Sequence, residues 1–224
     1  MVGPQAQSDG LSMTVSDDAL TEHGLDAPAT GRVLALACGA LAREVLALVE
    51  INGWSHMTLR CLPAKLHLYP DKIPEAVREG IRRGRADGFD DVLVLYADCG
   101  TGGQLDQVCK EEGVSRIEGP HCYSFFDGNE TFAARGDDEM RCFYLTDFLV
   151  KQFDAFVWKP MGLDRHPDLL EMMFGNYETL IYLAQTNDPA LNVKAEEVAK
   201  RLKLSYERRF TGYGDMATTL SNFA

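Results

Sequence analysis

Short apolar runs alternate with amphipathic stretches along this chain, and a turn of small residues separates each pair. The run 33–37 leads through Cys38-Gly39 into residues 39–51, where apolar side chains recur at helical spacing. The run 91–97 leads in the same way through a glycine-rich turn into residues 104–112. Strands that alternate with helices in this manner form parallel sheets.

The rest of the chain extends this pattern. Further strands are predicted at 56–62, 177–183 and 204–210, whereas about 120–175 is aromatic-rich and mostly helical in pattern. We therefore predict an α/β fold, an open doubly wound and mostly parallel sheet of four to five strands with a helical insertion at about 120–175. Residues 1–30 lack apolar periodicity and are predicted to be a disordered tail, with residues 31–224 forming a single domain.

Composition and charge exclude several classes of function. The 224 residues carry a formal net charge of −12, which argues against proteins that bind nucleic acid or anionic membrane surfaces. No apolar run approaches the ~20 residues that span a bilayer, and no secretory signal pattern is present. We expect a cytoplasmic protein whose six cysteines are thiols rather than disulfides.

Three of these cysteines follow predicted strands or lie in a later turn. Cys38 and Cys99 come directly after two strands, and the carboxyl ends of parallel strands share one edge of a sheet. Cys122 lies in a turn beside His121. This set predicts zinc or another single metal ion, with His121 as an alternative fourth ligand, or an iron–sulfur cluster instead. His67 is a candidate proton carrier or further ligand, with an ordinary surface histidine as the alternative.

The turn after the predicted strand 91–97 combines a carboxylate, a thiol and three glycines. It reads Asp98-Cys99-Gly100-Thr101-Gly102-Gly103. Its glycines and the helix that follows predict that residues 100–103 seat an anionic group on unpaired N–H groups. Asp98 would orient a ligand or a proton carrier, and the helix dipole would lower the pKa of Cys99. The alternative is a tight strand-to-helix turn in which Cys99 only fills space.

Eight separated motifs resemble the bacterial and archaeal family of unknown function DUF1638. They are Cys38-Gly39-Ala40-Leu41, Leu62-Pro63-Ala64-Lys65-Leu66-His67, Asp98-Cys99-Gly100-Thr101-Gly102-Gly103, Gly119-Pro120-His121-Cys122-Tyr123, Leu145-Thr146-Asp147-Phe148, Gly162-Leu163-Asp164-Arg165-His166-Pro167, Phe174-Gly175-Asn176-Tyr177 and Ala184-Gln185-Thr186. The resemblance extends from about residue 31 to the end of the chain. It implies an association with corrinoid-dependent methyltransferases that demethylate methylamines and betaines.

Two functional hypotheses follow. The first is a metal-thiolate enzyme of one-carbon metabolism, in which Cys38, Cys99 and Cys122 hold the ion and a small-molecule substrate takes its open position. The second is a non-catalytic accessory or iron–sulfur protein that docks on a corrinoid protein or a methyltransferase. The sequence names neither the substrate nor the metal.

Overall fold

Two separate sheets organise residues 15–29, 31–136 and 140–223, the parts of the chain that the computed structural model describes. The strands are β1 (Leu25–Asp26), β2 (Val33–Cys38), β3 (Met57–Leu62), β4 (Asp91–Leu95), β5 (Ser115–Arg116), β6 (Cys142–Leu145), β7 (Thr179–Ala184) and β8 (Ser205–Phe210). The α-helices are α1 (Asp17–Glu22), α2 (Ala42–Asn52), α3 (Ile73–Ala86), α4 (Gln104–Glu112), α5 (Cys122–Asp127), α6 (Asn129–Arg135), α7 (Asp147–Lys151), α8 (Leu170–Phe174), α9 (Pro189–Leu202) and α10 (Gly214–Ser221). A π-helical turn spans Asp154–Trp158, and short 3-10 turns include Gly39–Leu41.

The first sheet has the strand order β1-β3-β2-β4-β5, and the second has the order β6-β7-β8. Every pairing is parallel except that of β1 with β3. The prediction of a mostly parallel α/β fold is therefore confirmed. Among the described residues, no helix is long and apolar enough to cross a membrane.

Successive side chains along a strand point to opposite faces of the sheet. Because the central strands of the first sheet are apolar at consecutive positions, both of its faces are buried. On one face Leu34 and Leu36 pack with α3, where Gly80 and Gly84 allow a close approach. A Cβ at Gly84 would lie 2.4 Å from Leu34 Cδ2, so a larger residue there would push the helix away. On the other face Ala35 and its neighbours belong to the larger core, which also contains the apolar residues of the second sheet.

The second sheet differs from the predicted helical insertion. Strand β6 lies inside the segment 120–175 and pairs with β7, which in turn pairs with β8, so these strands form a sheet of their own rather than extending the first one. Periodicity could not reveal this arrangement. A four-residue apolar run is too short to separate a strand from one turn of a buried helix, and the pattern of a strand does not say which sheet it joins.

The amino-terminal segment also differs from the prediction where the structure describes it. Helix α1 begins after Ser16, whose side chain accepts a hydrogen bond from the Ala19 N–H group, and Leu20 is 1% exposed. Strand β1 then pairs with β3. Residues 15–29 are thus part of the fold, because Leu20 packs in the core and β1 joins the first sheet. The polar composition of this segment did not indicate a helix. Residues 1–14 of the predicted tail lie outside the described residues.

Candidate functional site

A small cavity lies at the carboxyl edge of the first sheet. Cys38 ends β2, and Cys99 lies in the turn between β4 and α4. Cys122 is the first residue of α5, and all three side chains line the cavity. The cavity volume is about 30 Å³, enough to hold at least one water molecule. The structure thus brings together three cysteines that are distant in sequence.

The strand register explains this convergence. Ala37 is the register partner of Cys61 on β3 and of Leu95 on β4. Strands β2 and β4 therefore end at the same level, and the turns that follow them open on the same edge. Cys61 itself is buried in β3 and does not belong to the cavity lining in the described structure.

Burial controls the protonation of the three thiols. It raises the pKa of Cys38 to about 11 and that of Cys99 to about 12, and it raises the pKa of Cys122 well above its usual value. Negative charge on a neighbouring thiolate opposes ionisation further, since Cys38 raises the pKa of both other cysteines. At neutral pH the cavity therefore holds thiols, and a group that binds thiolate has to displace their protons.

Cys99 does not have the lowered pKa that the helix dipole predicts. Helix α4 begins only at Gln104, so the dipole end is several residues away, and burial outweighs its influence. The backbone at Cys99 has φ +50°, in the left-handed region that a non-glycine residue rarely adopts. The Cys99 N–H group donates a 3.0 Å hydrogen bond to the Pro120 carbonyl. This bond links the turn at Cys99 to the turn that precedes Cys122.

Asp98 occupies the turn that was predicted to receive an anion. Its carboxylate accepts hydrogen bonds from Thr101 Oγ1 at 2.7 Å, from the Gly103 N–H group at 2.8 Å and from the Gly102 N–H group at 3.1 Å. Partial burial acts to raise the pKa of Asp98, but these bonds prevail and lower it. Asp98 therefore supplies the negative charge of this turn itself and fixes its shape. Gly100 has φ +83°, consistent with a tight turn.

The two candidate histidines occupy different positions. His67 lines the cavity, and burial together with the charge of His121 lowers its pKa, so its imidazole is neutral at pH 7. His121 is exposed at the start of α5, and the cavity lining found among the described residues does not include it. His67 is therefore the imidazole that can accept or donate a proton inside the cavity.

Tyr96 adds a polar atom that the sequence did not suggest. Its side chain is 2% exposed and lines the cavity, and its hydroxyl oxygen has no hydrogen-bond partner of good geometry in the described residues. Burial raises the pKa of Tyr96 well above its usual value, and the nearby Cys38 raises it further. The hydroxyl therefore lies beside the Cys38 thiol, where it can donate a hydrogen bond to a ligand in the cavity.

The second sheet supplies the opposite wall of the cavity. Thr146 follows β6, and Phe148 and Leu149 lie in the first turns of α7, while Phe156 comes from the π-helical turn. Thr146 caps α7 by accepting a hydrogen bond from the Leu149 N–H group at 3.4 Å. The carboxyl edges of the two sheets thus face each other across the cavity. One side carries thiols, and the other is mostly apolar.

The three thiols line one cavity, but their positions do not form a complete set of metal ligands in the described residues. Within residues 15–29, 31–136 and 140–223, no group of three or more His, Cys, Asp or Glu side chains is placed to hold a metal ion. The donors nevertheless fit a soft ion in kind, since Cys38, Cys99 and Cys122 all offer sulfur. The predicted metal site remains a prediction.

Glu44 is a second buried group that the sequence analysis missed. It is 6% exposed, its Oε2 atom has no hydrogen-bond partner in the described structure, and burial raises its pKa to about 7. A glutamate in an amphipathic helix resembles an ordinary solvent-facing residue. The sequence offered no signal that separates Glu44 from such a residue.

A model of a protein family matches most of the chain. The model of DUF1638, described as a protein of unknown function, matches residues 61–220. Neither the search of curated proteins nor that of solved structures finds a match.

Proposed function

The chain belongs to the DUF1638 family, and we propose that it is a metal-thiolate enzyme of one-carbon metabolism whose ion is held by Cys38, Cys99 and Cys122. The observation that carries this proposal is the shared cavity: three thiols from three separate elements line a space of about 30 Å³ at the carboxyl edge of a parallel sheet.

The chemistry of the donors supports a soft ion. Three thiolates would satisfy three positions of zinc or a similar ion and leave a fourth open. An ion held in this way acts as a Lewis acid toward whatever takes the open position. The raised pKa values of the cysteines imply that binding releases protons and weakens as the pH falls.

The remaining residues of the cavity have assignable roles. His67 is neutral at pH 7 and would move a proton to or from the bound ligand. The hydroxyl of Tyr96, which lies beside the Cys38 thiol, would donate a hydrogen bond to the bound ligand. Asp98 would act indirectly, by holding the turn that carries Cys99. Phe148 and Phe156 would exclude water from the opposite side.

The assignment to one-carbon metabolism rests on the association that the family resemblance implies. In this proposal a corrinoid protein or a methyltransferase is the macromolecular partner, and a small molecule is the substrate. The net charge of −12 supports neither nucleic acid nor an anionic membrane as the partner.

The second candidate function is a non-catalytic accessory protein that holds an ion, an iron–sulfur cluster or another ligand while docked on such a partner. One observation favours it: a cavity of about 30 Å³ leaves little room for a substrate beside a bound ion. Cobalt(II) substitution separates the two functions. An enzyme's open position changes the visible spectrum of the ion when a small thiol is added, whereas a closed site leaves it unchanged.

Metal analysis tests the proposal itself. Protein purified under reducing and oxygen-free conditions should contain about one zinc or similar ion per chain. Cys99→Ala should lose the ion, and Cys109→Ala, altered in a helix outside the cavity, should keep it. A wild-type protein that binds no zinc, cobalt or iron after reconstitution would contradict the proposal, and a brown protein with several irons would favour the cluster.

A further inference from the structure

Strand β8 forms one edge of the second sheet. Its residues, Ser205–Phe210, pair in register with β7 along their whole length, without a bulge. Among the described residues, no strand pairs with the other side of β8. Proteins commonly protect such an edge with proline, lysine or a bulge, because its free N–H and C=O groups can pair with another chain. The sequence of β8 contains neither proline nor lysine. It therefore offers an edge with which a further strand can pair.

The hydrogen bonds to β7 show which residues of β8 face this free edge. The Ser205 N–H group donates to the Glu178 carbonyl at 2.9 Å, and the Thr211 N–H group donates to the Ala184 carbonyl at 3.0 Å. Backbone groups alternate in direction along a strand, so the odd-numbered residues face β7 and the even-numbered residues face the free edge. The edge-facing residues are Tyr206, Arg208 and Phe210.

The side chains of β8 are arranged almost symmetrically about Arg208. Glu207 precedes it and Arg209 follows it, so opposite charges lie one position to either side. Tyr206 and Phe210, the next positions outward, are both aromatic. Phe210 is 56% exposed, although it is a large apolar side chain. A strand with this pattern is complementary to a second copy of itself that runs in the opposite direction.

We propose that two copies of this chain form a dimer by antiparallel pairing of β8 with β8, about a twofold axis at Arg208. The two three-stranded sheets join into one continuous sheet. Each edge-facing residue donates one backbone hydrogen bond to the partner and accepts one from it. Tyr206 lies opposite the partner's Phe210, and Glu207 lies opposite the partner's Arg209. The proposal does not depend on the metal site.

Charge selects this register over its neighbour. Residues opposite each other in an antiparallel pair have side chains on the same face, so the twofold axis passes through a residue. An axis at Glu207 places two carboxylates directly opposite, which is destabilising. An axis at Arg208 instead places Glu207 opposite Arg209, at pairs whose Cα atoms are only about 4.5 Å apart. Glu207 and Arg209 already form an ion pair within each strand, so four alternating charges meet across the interface.

The two Arg208 side chains meet at the axis, and this contact opposes pairing. Each guanidinium is held by its own chain, since it donates to Asn187 Oδ1 at 2.9 Å and to the Thr186 carbonyl at 3.3 Å. The net charge of −12 also opposes association, but β8 itself carries one acidic and two basic side chains, so repulsion is smaller at this edge. Because one strand pair buries less than the ~1,600 Å² of a typical stable interface, we expect dissociation in the micromolar range.

Sedimentation velocity of the full chain tests the dimer and its register. Wild type should change from monomer to dimer between about 1 and about 100 µM. Glu207→Arg and Arg209→Glu should each weaken the dimer about tenfold or more, because like charges then lie opposite each other. An equimolar mixture of the two variants should dimerise again, since each supplies the charges that the other lacks. Glu79→Arg, a matched reversal at an exposed position of α3, should dimerise as wild type does.

Hydrogen exchange of the wild type gives a second readout that requires no variant. The N–H groups of Tyr206, Arg208 and Phe210 should be protected only at high protein concentration. Those of Glu207 and Arg209 face β7 and should be protected at every concentration. A wild type that stays monomeric at about 100 µM would overturn the proposal. A dimer that both single variants retain, or a mixture of the variants that stays monomeric, would equally overturn it, since neither fits pairing of Glu207 with Arg209.

Discussion

The hydroxyl of Tyr182, on β7, donates a 2.7 Å hydrogen bond to Oδ1 of Asp147, the first residue of α7, and both residues are buried. The same carboxylate accepts hydrogen bonds from the Gln185 N–H group and from both the N–H and the hydroxyl of Thr186. Asp147 therefore ties the carboxyl end of β7 to the start of α7. The residues of α7 that line the thiol cavity are held in place by this contact.

Removing the carboxylate of Asp147 should lower the stability of the protein far more than removing the hydroxyl of Tyr182. Asp147→Ala leaves several buried donors without an acceptor and should lower the free energy of unfolding by about 3 kcal/mol or more. Tyr182→Phe removes one hydrogen bond and should cost about 1 kcal/mol. Urea unfolding of both variants measures the difference. Equal losses would show that the Asp147 network does not hold the second sheet together.

The fold was predictable to the extent that local patterns determine it. Apolar runs that end in Cys38 and in the turn at Cys99 were enough to predict parallel strands with a shared carboxyl edge, because parallel pairing forces the ends together. The division into two sheets was not predictable in this way. The pairing of β7 with β6 rather than with the first sheet depends on contacts between segments far apart in sequence.

The site was predictable in part, for a similar reason. Cysteines have distinctive chemistry that can be recognised in a sequence, so Cys38, Cys99 and Cys122 could be proposed together. Glu44 and Tyr96 matter only because folding buries their polar side chains, and burial is a property of the whole fold. The hydrogen bonds that Asp98 makes to its own turn were likewise invisible in the sequence.

The buried carboxyl of Glu44 predicts a specific dependence of stability on pH. Burial raises its pKa from 4.5 to about 7, and the charge of Asp147 adds to the effect. The folded state therefore holds this proton more tightly than the unfolded state. Its contribution to stability is fully present below about pH 4.5 and is lost as the pH rises through about 7. The loss amounts to about 3 kcal/mol above that range.

Glu44→Gln should remove this loss. The variant should be more stable than wild type by up to about 3 kcal/mol near pH 8 and by much less near pH 5. The measurement is urea unfolding of both proteins at the two pH values, with Glu197→Gln as the exposed control. A difference between Glu44→Gln and wild type that does not change with pH would contradict the buried, unpaired state of Glu44.

Two substitutions of Cys99 both remove its sulfur but differ in how well they tolerate the backbone conformation of the turn. With φ +50°, an L-residue at this position is strained and glycine is not. Cys99→Gly should therefore be more stable than Cys99→Ala by up to about 1 kcal/mol, although both lack the sulfur. Thermal unfolding compares the two variants. If Cys99→Ala were clearly the more stable, the left-handed conformation would not persist in solution.

Cys109 provides the control for every cysteine substitution. It is 4% exposed on α4 and packs against the core between the first sheet and helix α3, away from the cavity. Cys109→Ala should cost about 1–3 kcal/mol of stability through lost packing and leave metal binding unchanged. Elemental analysis combined with urea unfolding measures both properties. Loss of the ion in a folded Cys109→Ala protein would show that the ligands lie elsewhere.

The most direct test of the shared thiol site is cadmium titration followed by the ultraviolet band of the sulfur–cadmium bond. The intensity of this band scales with the number of bound thiolates. Wild type should saturate at about one Cd²⁺ with the intensity of about three thiolates. Single alanine substitutions of Cys38, Cys99 and Cys122 should each lower that intensity by about a third or abolish binding, while Cys109→Ala matches wild type. A wild-type band of one thiolate or none, or equal bands in all four variants, would contradict a metal site built from these three cysteines.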